Sequence, residues 1–200
     1  MEVDSPAESL FGRQKANILI CGTPGTGKST LCERLVTVLS DFEHFAVGDI
    51  VKEEEFYEEY DEQRNCHVLD EERLLDHERL LASRGGCLVD YHSCDFFPER
   101  WFDAVFVLRT GTTALYDRLV ERRYATEKLE ENAQAEIFGV VAEEARQAFP
   151  QAVVHEFQSD TLEQLEANVE SIVQWVENFR RGAEDVTDER EPSEAVADSV

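Results

Sequence analysis

The chain has 200 residues, of which 42% are hydrophobic, so its length fits one domain with a packed core. With 44 acidic against 19 basic residues its net charge is −25, and such a surface repels nucleic-acid phosphates, so we expect no direct sequence-specific nucleic-acid binding. The apolar runs are too short for a membrane span, and residues 1–15 lack the apolar segment of a secretory signal. Five cysteines without CxxC or metal-ligand spacing indicate reduced thiols in an intracellular protein. The acidity itself has two interpretations: it serves solubility alone, or it attracts a basic protein partner.

Residues 1–15 are polar and predict a flexible N-terminal extension, and residues 181–200 predict a disordered acidic tail. Between them, residues 16–180 alternate short apolar runs with helical stretches, which predicts an α/β fold with a five-stranded parallel sheet and helices on both faces. The predicted strands are Asn17–Cys21, His44–Val47, Cys87–Asp90, Ala104–Leu108 and Ala152–Glu156. Helices are predicted from Lys28 to Leu39 and along the apolar stripe that begins at Leu162, where Asp160 and Glu163 resemble a capping box.

The strongest local motif is a glycine-rich run between the first strand and the first helix, Gly22-Thr23-Pro24-Gly25-Thr26-Gly27-Lys28-Ser29. It matches the phosphate-binding P-loop pattern G-x-x-x-x-G-K-[ST] in the required strand–loop–helix context. Gly25 and Gly27 let the backbone approach phosphates closely, and the positive end of the helix favours the negative charge. Lys28 would neutralise the β- and γ-phosphates of ATP, and Ser29 would offer its hydroxyl to Mg²⁺. Thr30, in the same helical turn, is also expected to bind ATP. A chance glycine-rich turn is the alternative, and the flanking strand and helix argue against it.

A second candidate element follows the third predicted strand. Asp90 ends this strand, and in this fold class the carboxyl ends of the strands lie beside the P-loop, where a carboxylate can hold Mg²⁺. His92 follows two residues later and could orient or deprotonate an attacking water, since imidazole titrates near neutral pH. The alternative for His92 is a loop histidine bonded to a carbonyl group.

The segment from Asp90 to Phe102, DYHSCDFFPERWF, closely resembles a signature of the nuclear adenylate kinase isoenzyme 6 family, also described as coilin-interacting nuclear ATPases. The similarity runs from about Asn17 to about Phe179. Further matching segments, in order, are Gly22–Gly25, Val47–Asp49, Tyr60–Glu62, Phe106–Thr110 and Glu136–Phe138.

The resemblance implies a nucleoside-monophosphate-kinase fold with a core, a small acceptor-binding segment and a short lid. It implies a Mg²⁺-dependent enzyme that passes a phosphoryl group from ATP to AMP and also hydrolyses ATP. It further implies a role in maturation of the small ribosomal subunit and its RNA, docking on a ribosomal protein, in nucleus and cytoplasm. The Asp-x-His pair of the family, here Asp90 and His92, is linked to activity.

The acceptor segment falls at 46–69 by resemblance, with Gly48, Asp49 and Lys52 as AMP-binding residues, and Arg100 matches the arginine that reaches the acceptor phosphate. The alternative interpretation is that Lys52 is a solvated helix residue. The lid falls at 121–131.

Within the lid, Arg122 matches the arginine that contacts ATP; a surface arginine paired with a nearby glutamate is the alternative. From their position after the last predicted strand, Gln158 and Ser159 are expected to lie at the edge of the adenine.

The sequence therefore predicts a Mg²⁺-dependent ATP:AMP phosphotransferase and ATPase that assists small-subunit assembly. Its catalytic residues would be Lys28, Asp90, His92 and Arg122, with ATP also held by the P-loop and Mg²⁺ by Ser29 and Asp90. Two rivals stay open. One is a small-molecule kinase that phosphorylates an alcohol, which would need a positioned carboxylate base. The other is a binding module whose conformation ATP switches, with incidental turnover.

Overall fold

The computed structural model of the chain describes residues 13–61, 66–78, 84–149 and 153–188. Residues 1–12 and 189–200, which hold most of the predicted N-terminal extension and of the predicted tail, lie outside the described residues. The last part of that extension is packed against the domain: Arg13 Nη1 lies 3.0 Å from Asp103 Oδ2, and both side chains are almost fully buried. In the part of the chain that the structure describes, no helix combines the length and the apolar composition needed to cross a membrane.

Five parallel strands form the central sheet in the order β2-β5-β1-β6-β7, which confirms the predicted fold class. Their apolar runs are continuous because both faces are covered. The strands are β1 Asn17–Cys21, β2 Glu43–Ala46, β5 Cys87–Tyr91, β6 Ala104–Arg109 and β7 Val153–Gln158. The first strand has the predicted bounds, and the other four differ from the prediction by one or two residues at one or both ends. Val47, for example, begins a helix instead of ending β2.

A separate antiparallel pair, β3 Tyr57–Asp61 and β4 Cys66–Leu69, lies within the segment assigned to the acceptor and was not predicted. Its register shifts between Tyr57 and Tyr60, where a bulge interrupts the pairing. A bulge breaks the strict alternation of apolar and polar residues on which strand prediction depends.

Helices cover both faces of the sheet. The helices are α1 Lys28–Val38, α2 Val47–Glu53, α3 Glu71–Glu78, α4 Thr112–Glu121, α5 Thr126–Phe138, α6 Val140–Ala148 and α7 Leu162–Asp188. Helices α1 and α7 pack on one face, where Leu35 and Trp175 join Phe106 in one buried cluster. Helices α2, α3 and α6 pack on the other, through residues such as Val51, Leu74 and Ala142.

Two predictions about the last helix are wrong. Helix α7 continues to Asp188, so the predicted disorder from 181 onward does not hold for residues 181–188. Extending an existing helix fixes one residue for each new hydrogen bond, so the helix continues into this segment although Gly182, Val186 and Thr187 are weak helix formers. The capping box consists of Thr161 and Gln164 instead of Asp160 and Glu163: the Thr161 hydroxyl accepts from the Gln164 amide, and Gln164 Oε1 accepts from the amides of Asp160 and Thr161.

Candidate functional site

The P-loop connects β1 to α1 at the carboxyl edge of the sheet. Gly22 has φ of 148°, and a Cβ there would lie 2.6 Å from the Leu108 carbonyl oxygen, so only glycine fits. Gly27, immediately before α1, has φ of 98°, in the left-handed region. The loop backbone is therefore held in a shape that larger residues cannot adopt. This shape brings Gly25 and Gly27, both predicted to bind ATP, to the N-terminal end of α1.

Lys28 folds back over the loop. Its Nζ donates to the carbonyl oxygens of Gly22, at 2.7 Å, and Thr23, at 3.2 Å. Burial lowers the pKa of Lys28 to about 8, and the negative charge of Asp90 opposes that shift. The ammonium group is thus held at the loop, next to the amides that would cradle phosphates.

Ser29 and Asp90 meet beside the P-loop, as the sequence predicts. The Ser29 hydroxyl donates to Asp90 Oδ1 over 3.5 Å, and Asp90 is 6% exposed. A hydroxyl and a carboxylate oxygen, together with nucleotide phosphates, are the hard oxygen ligands that Mg²⁺ prefers. The residues present therefore fit the predicted metal.

His44 is a neighbour of Asp90 that sequence reasoning missed. Its Nε2 lies 2.6 Å from Asp90 Oδ2, and because a carboxylate only accepts, the ring N–H is the donor. His44 lies in β2, next to β5 in the sheet, so only the strand order brings it to this site.

His92 follows the end of β5, and its ring is tilted against Tyr91 with centroids 4.2 Å apart. His92 is exposed at the surface. Removal of water from part of the ring lowers the pKa of His92 to about 4, and the charge of Lys28 adds to the shift. The imidazole is therefore neutral at physiological pH and able to accept a hydrogen bond, while a pKa of about 4 makes it a weak base.

A cavity of about 320 Å³ opens beside the P-loop. Its lining includes Gly25, Gly27, Thr30, Arg118, Glu121, Arg122, Ser159 and Leu165. A smaller cavity of about 40 Å³ adjoins it, and Arg122 lines this one with Lys28, Ser29 and Thr30. The structure thus brings Arg122, the predicted lid arginine, to the smaller cavity beside Lys28 and Ser29. Ser159 lines the larger cavity, whereas Gln158 is not among its lining residues.

Arg118 is a second residue that sequence reasoning missed. From helix α4 it donates to the Gly25 carbonyl, at 3.3 Å, and to the Asp160 carbonyl, at 2.8 Å. It therefore connects the P-loop to the start of the segment that leads into α7. On the sequence, Arg118 is one polar residue of an amphipathic helix, with no motif around it.

The predicted acceptor residues lie on two elements. Gly48, Asp49 and Lys52 belong to α2, where Lys52 Nζ lies 3.0 Å from Asp49 Oδ1 and both side chains are about 70% exposed. Arg100 lies in the short 3-10 turn Glu99–Trp101, and its side chain is exposed. These cations are open to solvent, which is where an incoming phosphate would meet them.

Glu136 is a third missed residue, and it ties α5 to the P-loop. Its carboxylate is buried and accepts from the Thr23 hydroxyl at 2.5 Å, Arg109 Nε at 2.8 Å and the Thr110 amide at 3.0 Å. Arg109 also lies 3.1 Å from Glu156. The matching segment around Glu136 was a signal, but the partners of its carboxylate lie far away in sequence.

We expect Glu136→Ala to lower the free energy of unfolding by about 3 kcal/mol, because it leaves the buried Thr110 amide unpaired and weakens a buried ion pair. The estimate is at the lower end for such pairs, since Arg109 keeps Glu156. Glu130→Ala, on the exposed face of the same helix, should change stability by less than about 0.5 kcal/mol. Urea denaturation of both variants measures the difference. Equal stability of the two variants would contradict the network.

Comparison with known proteins agrees with this geometry. Residues 18–139 match the AAA domain family. The chain is 50% identical over 170 residues to "Adenylate kinase isoenzyme 6 homolog" of Caenorhabditis elegans, covering 84% of this chain and 93% of that one. It is 48% identical over 167 residues to the protein of the same name from Drosophila melanogaster, covering 84% and 95%.

Among solved structures, a gluconokinase from Sinorhizobium meliloti 1021 superposes with a TM-score of 0.53 at 17% identity, covering 90% of this chain and 99% of that one. At this identity the likeness describes the fold alone. The match to these curated relatives extends over nearly their whole length. The chain therefore belongs to the adenylate kinase isoenzyme 6 family, on a P-loop kinase fold.

Proposed function

We propose that the protein is a Mg²⁺-dependent nucleotide kinase that transfers a phosphoryl group from ATP to AMP, hydrolyses ATP when no acceptor is bound, and assists maturation of the small ribosomal subunit. The observation that carries the enzymatic part is that Lys28, Ser29 and Arg122 line one phosphate-sized recess beside a larger cavity, with Asp90 hydrogen-bonded to Ser29 at its edge. Family membership and the shared name of the relatives support AMP as the acceptor.

In this proposal the P-loop amides and Lys28 hold the β- and γ-phosphates, and Arg122 stabilises the charge that develops during transfer. The base and ribose of ATP occupy the cavity that Ser159 lines. Mg²⁺, when bound, neutralises phosphate charge and helps to orient the nucleotide. Lys52 and Arg100 attract the phosphate of AMP, which needs no base in order to act as a nucleophile.

Neutral His92 serves the other reaction. A water near the γ-phosphate is a weak nucleophile, and a neutral imidazole that accepts a hydrogen bond from it orients it for attack. The two activities would thus share the ATP site and differ in the group that attacks the γ-phosphate, which is AMP in transfer and water in hydrolysis.

The deciding experiment is titration of AMP into an ATPase assay, with ADP measured as product. Transfer to AMP yields two ADP for each ATP consumed, whereas hydrolysis yields one ADP and one phosphate. If AMP never raises ADP above the amount expected from hydrolysis, and labelled phosphate appears on an alcohol instead, the small-molecule kinase is the correct function.

We expect Asp90→Ala and His92→Ala to fail in different ways. Loss of Asp90 should raise the Mg²⁺ concentration needed for half-maximal turnover and lower turnover together. Loss of His92 should lower ATPase turnover by about 10²-fold, the lower end of the range for a positioned acid–base group, because the ring only orients the water, and ATP affinity should be nearly unchanged. Steady-state ATPase and kinase rates against Mg²⁺ concentration test both. Full rates for His92→Ala would make this histidine structural.

The assembly part of the proposal is supported by the net charge of −25, which kinase chemistry does not require, and by the family resemblance. The partner would be a basic small-subunit ribosomal protein, met in nucleus and cytoplasm. Complementary charge accelerates association and disfavours wrong partners. Stimulation of ATP hydrolysis by such a partner would favour the ATP-switched module over the kinase as the physiological role.

Removing residues 189–200, beyond the end of α7, should leave AMP phosphorylation unchanged and slow association with the basic protein modestly. The deleted segment carries four acids and one arginine, so it adds to long-range attraction. Raising the salt to physiological strength should slow both forms, because the Debye length shrinks to about 8 Å. Kinetic binding of both forms at two salt concentrations measures this. No binding by either form would remove the assembly role and leave the kinase.

A further inference from the structure

Asp90 offers its two carboxylate oxygens to different neighbours. Oδ1 accepts from Ser29, on the side proposed for Mg²⁺, while Oδ2 accepts from His44 Nε2 at 2.6 Å. Cys32 stands beside the same pair. The Cys32 Sγ, a ring nitrogen of His44 and a carboxylate oxygen of Asp90 all lie within 4.8 Å of one another.

Three elements bring these side chains together. Strand β2 pairs in parallel with β5, with His44 opposite Leu88 and Ala46 opposite Asp90. Side chains alternate along a strand, so His44, Leu88 and Asp90 point to one face of the sheet. Helix α1 covers that face, and Cys32 packs in the same buried cluster as Leu88.

We propose that Cys32, His44 and Asp90 bind one zinc ion. A thiolate, an imidazole and a carboxylate are the ligands that Zn²⁺ takes, at about 2.3, 2.0 and 2.1 Å, and three protein ligands leave a fourth position for water. Mg²⁺ demands oxygen ligands in octahedral geometry, so the thiol and the imidazole discriminate against it. In a tetrahedral site the ligand atoms stand roughly 3.5 Å apart, so His44 and Asp90 would separate by about 1 Å and the Cys32 sulfur, which lies within 4.8 Å of both, would move to the same spacing.

Zinc binding would change the protonation of two of the ligands. Cys32 is fully buried and binds zinc as thiolate, releasing its proton to solvent. His44 now carries its proton on Nε2, where it donates to Asp90, and in the zinc-bound form the proton sits on Nδ1. The side chain of His44 is 18% exposed, so the ion and its water approach from this side.

The site bears on catalysis through Asp90, and this consequence rests on the proposed function. Zinc on Oδ2 withdraws negative charge from the carboxylate whose Oδ1 faces Ser29. The affinity of the Ser29–Asp90 site for Mg²⁺ then falls, so zinc should inhibit turnover at a fixed Mg²⁺ concentration. The ligand set thus makes the Mg²⁺-dependent reaction sensitive to a second metal.

The test uses Co²⁺ as a coloured substitute for zinc on the full chain, without nucleotide and with a phosphine reductant. Cobalt bound to a thiolate gives an intense ultraviolet charge-transfer absorption, which should saturate at one equivalent and disappear on addition of Zn²⁺. Cys32→Ser should abolish the absorption, and His44→Gln should abolish or strongly weaken it. Cys87→Ser should keep it, because Cys87 is equally buried but lies at the opposite end of β5.

Absence of the absorption from the unaltered chain, or its persistence in Cys32→Ser, would overturn the site and leave a hydrogen-bonded pair beside a buried thiol. If Cys32→Ser does not fold, as judged by circular dichroism, His44→Gln decides. The ratio of turnover without and with Zn²⁺ then tests the consequence: it should be larger for Cys87→Ser than for Cys32→Ser. A chain that shows the cobalt absorption but no ATP turnover would contradict the proposed function and leave the zinc site intact.

Discussion

Arg122→Ala should lower turnover on the order of 10³-fold, the effect of removing an arginine that stabilises charge in phosphoryl transfer. Arg122 directly follows α4 and lines the recess together with Lys28 and Ser29, so its guanidinium can contact the transferring phosphoryl group. ATP affinity should fall much less, because the charge on the equatorial oxygens is greatest in the transition state. Single-turnover rates and nucleotide binding, measured separately, distinguish the two effects.

The neighbouring arginine provides the matched control. Arg123 is exposed and has a positive φ of 59°, and it does not line either of the cavities described above. Arg123→Ala likewise removes one positive charge from this segment. Alanine, like arginine, would have to adopt the positive φ at this position. Equal turnover by the Arg122 and Arg123 variants would assign the arginine effect to general charge and not to the recess.

Lys28→Met should weaken ATP binding roughly ten- to a hundred-fold, because a charge-assisted hydrogen bond contributes about 1.5–3 kcal/mol. The fold should survive, since the ammonium group bonds only to the carbonyl oxygens of Gly22 and Thr23 among the described partners. Lys15→Met provides the control: Lys15 is half exposed and lies 3.3 Å from Asp41, on the surface. Calorimetric titration with a non-hydrolysable ATP analogue measures the affinity, and thermal melting checks the fold. Unchanged affinity in a folded Lys28→Met would refute the phosphate site.

The sequence by itself determined the fold class and the P-loop, because both depend on local signals. Buried parallel strands are continuous apolar runs, and the P-loop glycines, Lys28 and Ser29 are contiguous. The segment from Asp90 to Phe102 is likewise one stretch of chain, so the resemblance could be recognised without any structure. Family membership was the correct conclusion from it.

Only the tertiary structure decided which distant residues share the site. His44 reaches Asp90 because β2 lies next to β5, and Cys32 joins them because α1 packs on that face of the sheet. Glu136 reaches Thr23 across 113 positions of chain, and Arg118 connects two loops from the middle of an amphipathic helix. Strand order and helix packing are cooperative properties of the whole domain, and the spacing of residues along the chain does not encode them in a readable way. The end of α7 was missed for the related reason that a helix propagates from its neighbours, whereas composition describes only the segment itself.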